Sequence, residues 1–334
     1  MMYNKSMKKK YDIISIGSAM RDIFILNKDL KYPVKALDPF DKNVVGNKIA
    51  LKDIYFDIGG GGSNTAATLS NMGLKVGLFS RIGKDLAGKE IIKTMKSFKV
   101  DTKMIEVDRK EETGYSVIFI NKEGDRTTLT FRGAADFNDT TKVPTKKLVS
   151  DWFFVTSVNG NFRMLKNLFD LGHGNNTKIA WNPGNAEFEL SKAKMVSLLK
   201  RVDVLFLNLD EARRLTKSRT KNIKTIMSKL ELLAPYSILC VTGGKAGAWV
   251  KKDHEFYWSP ILPKKVVNAT GAGDAFGSGF VAGLHLYDGD LKKSLQLGML
   301  NSNSVVTKMG AKHGLLKKPP TIKSLNIIKV KKIK

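Results

Sequence analysis

Residues 268–283 read NATGAGDAFGSGFVAG. Gly271, Ala272 and Gly273 precede small and apolar residues at helical spacing, with Asp274 where that helix would begin. A glycine-rich turn opening a helix lets backbone N–H groups approach an anion without Cβ obstruction, and the helix dipole adds favourable potential. A carboxylate beside such a site suits phosphoryl transfer. The N–H groups stabilise charge on the moving group while the carboxylate accepts a hydroxyl proton. The same residues also suit a plain turn in which Asp274 only caps the helix.

A second glycine-rich entry into a helix lies at residues 57–73, DIGGGGSNTAATLSNMG. It lacks the Gly-Lys-Ser/Thr ending of a P-loop and is not a dinucleotide fingerprint. Its glycines, Gly60 and Gly61 among them, would let a ligand lie against the backbone. Asn64 offers donors and an acceptor to sugar hydroxyls, or else caps the helix. Asn208 and Glu211 follow a buried-strand pattern and would emerge at the carboxyl edge of a sheet, where α/β proteins bind ligands. There Asn208 could contact phosphate and Glu211 could order a Mg²⁺–water cluster, with helix capping as the alternative. Thr242 and Gly244 sit at another such edge, suited to nucleotide. Asp22, just after the first strand, could hold a sugar hydroxyl. The four histidines show no metal-ligand spacing.

These positions need a scaffold of strands ending where helices begin. From residue 151 the pattern alternates regularly: strands at 152–158, 178–182, 204–208 and 238–242, helices at 162–171, 191–199 and 223–233. Helices at 275–285 and 291–309 follow. Before it come strands at 11–18 and 76–82 and helices at 63–72 and 86–98. This is the signature of an α/β fold with a mostly parallel sheet covered on both faces. Strand-like stretches within 23–57 and 113–132, the latter around the turn NKEGD at 121–125, do not fit that sheet and read as a small β layer that could act as a lid.

The 334 residues carry 57 Lys+Arg against 31 Asp+Glu, a formal charge of +26. Four lysines lie in residues 1–10 and eight in 311–334, with no acid in either stretch. Nearly half of the excess therefore reads as basic tails, and lysine far outnumbers arginine, the main reader of base edges. Nucleic-acid binding rests on charge alone. No apolar run approaches the ~20 residues that span a bilayer. The single Cys240 excludes an intrachain disulfide framework. The start has no signal-peptide cleavage pattern, so a cytoplasmic protein is expected.

Taken together the motifs resemble the ribokinase-like, PfkB-type carbohydrate and nucleoside kinases. The resemblance rests on residues 59–64 running through Gly83-Lys84-Asp85, on Ala269–Asp274, and on Asn208-x-x-Glu211 between them, and it covers about residues 11–313. It implies a three-layer αβα sandwich with a small β-sheet lid, 11–313 as one kinase domain, and 1–10 and 314–334 as tails. It also implies transfer of the γ-phosphoryl of Mg·ATP to an alcohol of a sugar or nucleoside. Asp274 would be the base and Gly271, Ala272 and Gly273 the anion hole. Asp22, Gly60, Gly61 and Asn64 would face the acceptor, and Asn208, Glu211, Thr242 and Gly244 the Mg·ATP. An exposed β lid could pair between subunits, giving a homodimer. Members activated by a monovalent cation usually carry Asp where this chain has Asn268, which removes the ground for expecting potassium dependence. Met20 replaces the polar residue with which ribokinases contact ribose. A non-catalytic regulator of the same fold is the alternative from a different class.

Overall fold

The computed structural model describes residues 10–26, 51, 53–120, 126–138, 141 and 143–333. The expected turn at 121–125, most of the loop between the first lid strands, and residues 1–9 of the N-terminal stretch lie outside the described residues.

Strands β8 (Ser150–Val155), β1 (Tyr11–Ile16) and β4 (Val76–Gly83) lie side by side in a ten-stranded sheet. On one side of β8 follow β9 (Lys178–Trp181), β10 (Val204–Asn208) and β11 (Ile238–Thr242), all parallel. Antiparallel β12 (Ala248–Lys252) and β13 (Glu255–Ser259), then the two-residue β14 (Lys331–Lys332), extend that side. The opposite edge is β5 (Asp101–Asp108). The central strands are apolar throughout because helices cover both faces. One face packs α1 (Gly61–Asn71), α2 (Leu86–Ser97), α7 (Ala272–Leu286) and α8 (Leu291–Val305) around Leu69, Phe206, Phe276 and Phe280. The other packs α3 (Phe162–Gly174), α4 (Lys192–Leu199), α5 (Leu209–Thr216) and α6 (Ile223–Leu233) around Phe153, Phe169 and Trp181. This is the expected αβα sandwich.

The separate four-stranded sheet has the order β3 (Asp53–Gly59), β2 (Met20–Leu26), β6 (Tyr115–Ile120), β7 (Arg126–Phe131). Phe24, Ile118 and Ile120 are buried on its inner face, against Met309. Pairing of Ile23 with Phe56, Ile25 with Ile54, and Val117 with Leu129 puts those residues on the outer face. There Ile54, Phe56, Leu129 and Phe131 are each about half exposed, at 47–57%.

Several boundaries differ from expectation in ways that matter at the site. α1 begins at Gly61 with Gly60 as its cap, so Ser63 and Asn64 are helical rather than capping. α7 begins at Ala272, three residues early, which places Gly273 and Asp274 in its first turn. β5 was not anticipated, because a sheet-edge strand with polar side chains carries no apolar signal. The stretch after residue 313 is not a free tail in its described part. Leu325 and Ile328 are buried in the core, and Ile333 N–H donates to the Phe256 carbonyl. No helix among the described residues is long and apolar enough to cross a membrane.

Candidate active site

The candidate site forms where α1 and α7 pack together, with Asn64 of α1 hydrogen-bonded to Asp274 of α7. The first N–H groups of a helix have no acceptor within it, and α7 has no side-chain cap. Its cap, Gly271, holds φ at 76°, a left-handed conformation that glycine adopts without cost. A Cβ there would also fall 2.6 Å from Ala311 Cβ. Gly273 is different: exposed, with nothing within 4 Å of where its Cβ would be.

The residues expected to face the acceptor come together. Asn64 is buried on α1, and its Nδ2 donates to Asp274 Oδ2 at 2.8 Å. Asp22, on the inner face of β2, is 4% exposed. Burial pushes its carboxyl up to about 6, against the pull of Lys312 and a hydrogen bond from Ser116; the charges of Asp57 and Asp274 push the same way as burial. Gly59 makes room for it, since a Cβ there would lie 2.0 Å from Asp22 Oδ2. Gly60 and Gly61 have a packing reason of their own. A Cβ on Gly60 would meet the Ser18 carbonyl at 2.5 Å, and one on Gly61 the Thr156 side chain at 2.9 Å. Arg21, next to Asp22 in sequence, lies on the opposite face of the lid, pairing with Glu90 and covering the Phe56 ring.

Two residues of this cluster escaped sequence reasoning. Asp57, at the end of β3, has Oδ2 buried with no hydrogen-bond partner. Lys312, counted above with the C-terminal lysines, is only 5% exposed and donates from Nζ to Asn64 Oδ1 and the Ile58 carbonyl, each at 2.5 Å. A lysine between glycines in GAKHG gave no periodic signal of burial; the small Gly310 and Ala311 before it were the available hint.

Gly273 also lines a cavity of about 120 Å³, together with Asn182, Asn208, Glu211, Thr242 and Phe276 among others. Asn208 and Glu211 form a capping box on α5: Asn208 Oδ1 accepts the Glu211 N–H and Glu211 Oε2 accepts the Asn208 N–H, both at 2.8 Å. Burial raises the Glu211 carboxyl above its usual range. The capping alternative is thus realised, and the same pair still borders the cavity. Gly244 is exposed at φ 56° and lies outside that lining.

A family model described as pfkB family carbohydrate kinase matches residues 12–318. The chain belongs to the pfkB family of carbohydrate kinases. It is 28% identical to an ATP-dependent 6-phosphofructokinase of Thermoanaerobacterium thermosaccharolyticum, over 91% of this chain and 90% of that one. A deoxyribokinase of Salmonella typhimurium is 23% identical, over 94% and 97%. The crystal structure of the Methanocaldococcus jannaschii nucleoside kinase, an archaeal member of the ribokinase family, superposes with a TM-score of 0.76 at 21% identity, covering 96% of this chain and 99% of that one. Arabidopsis thaliana ribokinase complexed with ribose and ATP gives 0.76 at 19%, covering 95% and 98%. The pfkB protein described here therefore has the ribokinase fold and is a carbohydrate or nucleoside kinase.

Proposed function

We propose that this pfkB kinase moves the γ-phosphoryl group of Mg·ATP onto an alcohol oxygen of a sugar or nucleoside, with Asp274 as general base. The observation that carries the reading is the position of Asp274. Its carboxylate is hydrogen-bonded by Asn64 from the acceptor side, while its chain neighbour Gly273 lines the cavity shared with Asn208, Glu211 and Thr242. An acceptor hydroxyl held by Asp22 and Asn64 would lie beside a carboxylate able to take its proton. As the oxygen–phosphorus bond forms, the bond from phosphorus to the departing ADP oxygen breaks. The N–H groups of Gly271, Ala272 and Gly273 would stabilise the phosphoryl oxygens throughout.

Among the described residues no group of three or more His, Cys, Asp or Glu could cage a metal ion. The oxygen-bearing side chains of Asn208, Glu211 and Thr242 around the cavity suit a Mg²⁺ that would be carried by the nucleotide phosphates and keep several waters. Glu211, with one oxygen committed to the Asn208 N–H, would order one of those waters. The ion supplies neutralisation of phosphate charge. Asn268 is buried and neutral, its Oδ1 accepting the Thr270 N–H at 2.6 Å, so it brings no charge to a monovalent cation. The half-exposed apolar outer face of the lid supports the reading that two copies pair there. Dependence on ATP fits a cytoplasmic enzyme.

The experiment is a coupled ADP-release screen across ribose, deoxyribose, fructose, fructose 6-phosphate, 2-keto-3-deoxygluconate, adenosine and inosine. Acceptor-dependent ADP release with at least one of them supports the reading. ADP release indifferent to every hydroxylated acceptor speaks against it.

A further inference from the structure

Lys312 lies outside the motifs that define the site, yet its ammonium ends inside it. The ammonium has only donors, so the Asn64 atom facing it must be the oxygen. That leaves the Asn64 NH₂ turned to Asp274, where it donates at 2.8 Å. Turning the amide over would set NH₂ against the ammonium and the amide oxygen against the Asp274 carboxylate, two repulsive contacts in a buried place. The order Lys312, Asn64, Asp274 therefore has one polarity, set by the lysine.

The lysine also answers a charge problem. Asp57, Asp22 and Asp274 all act on its ammonium, from β3, β2 and α7 respectively. His313, on the lysine's own segment, faces Asp57 with 3.6 Å between Nε2 and Oδ1. Carboxylates gathered in a partly dry site need a compensating cation if they are to stay ionised. The segment that delivers it is tightly placed: a Cβ on Gly310 would fall 2.0 Å from Asp57 Oδ2, and Ala311 packs under Gly271. One short stretch thus touches both the anion hole and the acceptor cluster.

We propose that Lys312 is a positioning residue for phosphoryl transfer: it fixes the Asn64 amide so that it orients Asp274, and it supplies the positive charge that keeps the surrounding carboxylates ionised. This rests on the reading of Asp274 as the base. Burial brings the Lys312 ammonium down to about 8, with Asp57, Asp22 and Asp274 opposing the fall. Turnover should then decline above about pH 8, as the ammonium loses its proton and the amide its anchor.

The test compares wild type, Lys312→Met, Lys312→Arg, Asn64→Ala and the Lys312→Met/Asn64→Ala double variant between pH 6 and 10. The probe is Mg·ATP with the acceptor sugar or nucleoside found in the screen, and acceptor-free ATP hydrolysis is read in parallel. Lys312→Met is expected to lower kcat roughly 10- to 100-fold, the range for loss of an orienting partner, with KM for ATP within about twofold of wild type. Lys312→Arg, always charged, should recover most of the loss and abolish the decline above pH 8. The double variant should lose less than the two single losses added together, because the orienting part of the lysine's role acts only through Asn64. Wild-type kcat in Lys312→Met, a decline above pH 8 unchanged in Lys312→Arg, or additive losses would each overturn the proposal. If Lys312→Met does not fold, the Lys312→Arg profile decides on the same criterion. A fully active Asp274→Asn would instead remove the base assignment itself. An inactive Asp274→Asn beside an indifferent Lys312→Met would remove only the role of Lys312.

Discussion

Asn64 and Asp274 stand 210 residues apart in the chain, yet the Asn64 amide donates to the Asp274 carboxylate at 2.8 Å. The contact joins the first turns of α1 and α7, the two helices that the glycine-rich motifs open. It ties the acceptor side of the site to the helix N-terminus expected to stabilise phosphate charge. Each glycine motif alone reads as a turn; packed together they place an amide against a carboxylate whose chain neighbour Gly273 lines the cavity.

The glycines of α7 should separate fold from chemistry. Gly271 is required by its positive φ and by Ala311, so Gly271→Ala should destabilise the protein by about 1–3 kcal/mol. Gly273 has open space around its missing Cβ and sits in a helical first turn. Gly273→Ala should therefore leave the melting temperature unchanged or slightly higher, yet weaken ATP use because the methyl would intrude where phosphate approaches. Thermal melts beside ATP kinetics check the pair; a Gly273→Ala enzyme with wild-type ATP kinetics would rule out a nucleotide role for that position.

Asp22 should trade stability for function. Its folded carboxyl is raised to about 6 from 3.8. Between those values the folded state binds more protons than the unfolded, so stability falls as pH rises through this window and levels off above it. Asp22→Asn should stabilise the enzyme at pH 7 by on the order of 2 kcal/mol, with the gain fading toward pH 4. At the same time KM for the acceptor should rise at least several-fold. Denaturant melts at pH 4 and 7 with acceptor kinetics test this, and an Asp22→Asn protein less stable at pH 7 than wild type would contradict it.

The lid surface should govern assembly. Leu129 and Phe131 are exposed on the outer face at 57% and 55%. Leu129→Asp should convert a dimer into monomers in sedimentation experiments while leaving the monomer's melting temperature within a few degrees. A wild-type protein that stays monomeric at high micromolar concentration would exclude pairing through this face.

The parts of the fold legible in sequence were those with a periodic or conformational reason. Buried parallel strands are apolar along their length, and Gly271 stands where a left-handed residue was needed. Asn208 and Glu211 were legible twice over, as a capping pair and as residues at a strand's carboxyl edge. Lys312 was not legible, because its burial depends on Asp22, Asp57 and Asn64 arriving from three distant elements. Charge counting placed it on the surface. β5 was missed for the converse reason, since its polar residues are tolerated at a sheet edge. The charge of +26 that first suggested a nucleic-acid surface thus includes one lysine buried against Asn64 and beside Asp22, Asp57 and Asp274.

The most direct measurement is turnover of Asp274→Asn set against its nucleotide binding. The substitution keeps size and one oxygen able to accept from the Asn64 amide, but removes the proton acceptor. With Asp274 as the base, kcat should fall by ~10²–10⁴-fold while calorimetric ADP affinity and melting temperature stay close to wild type. An Asp274→Asn enzyme that turns over at near the wild-type rate would contradict the account.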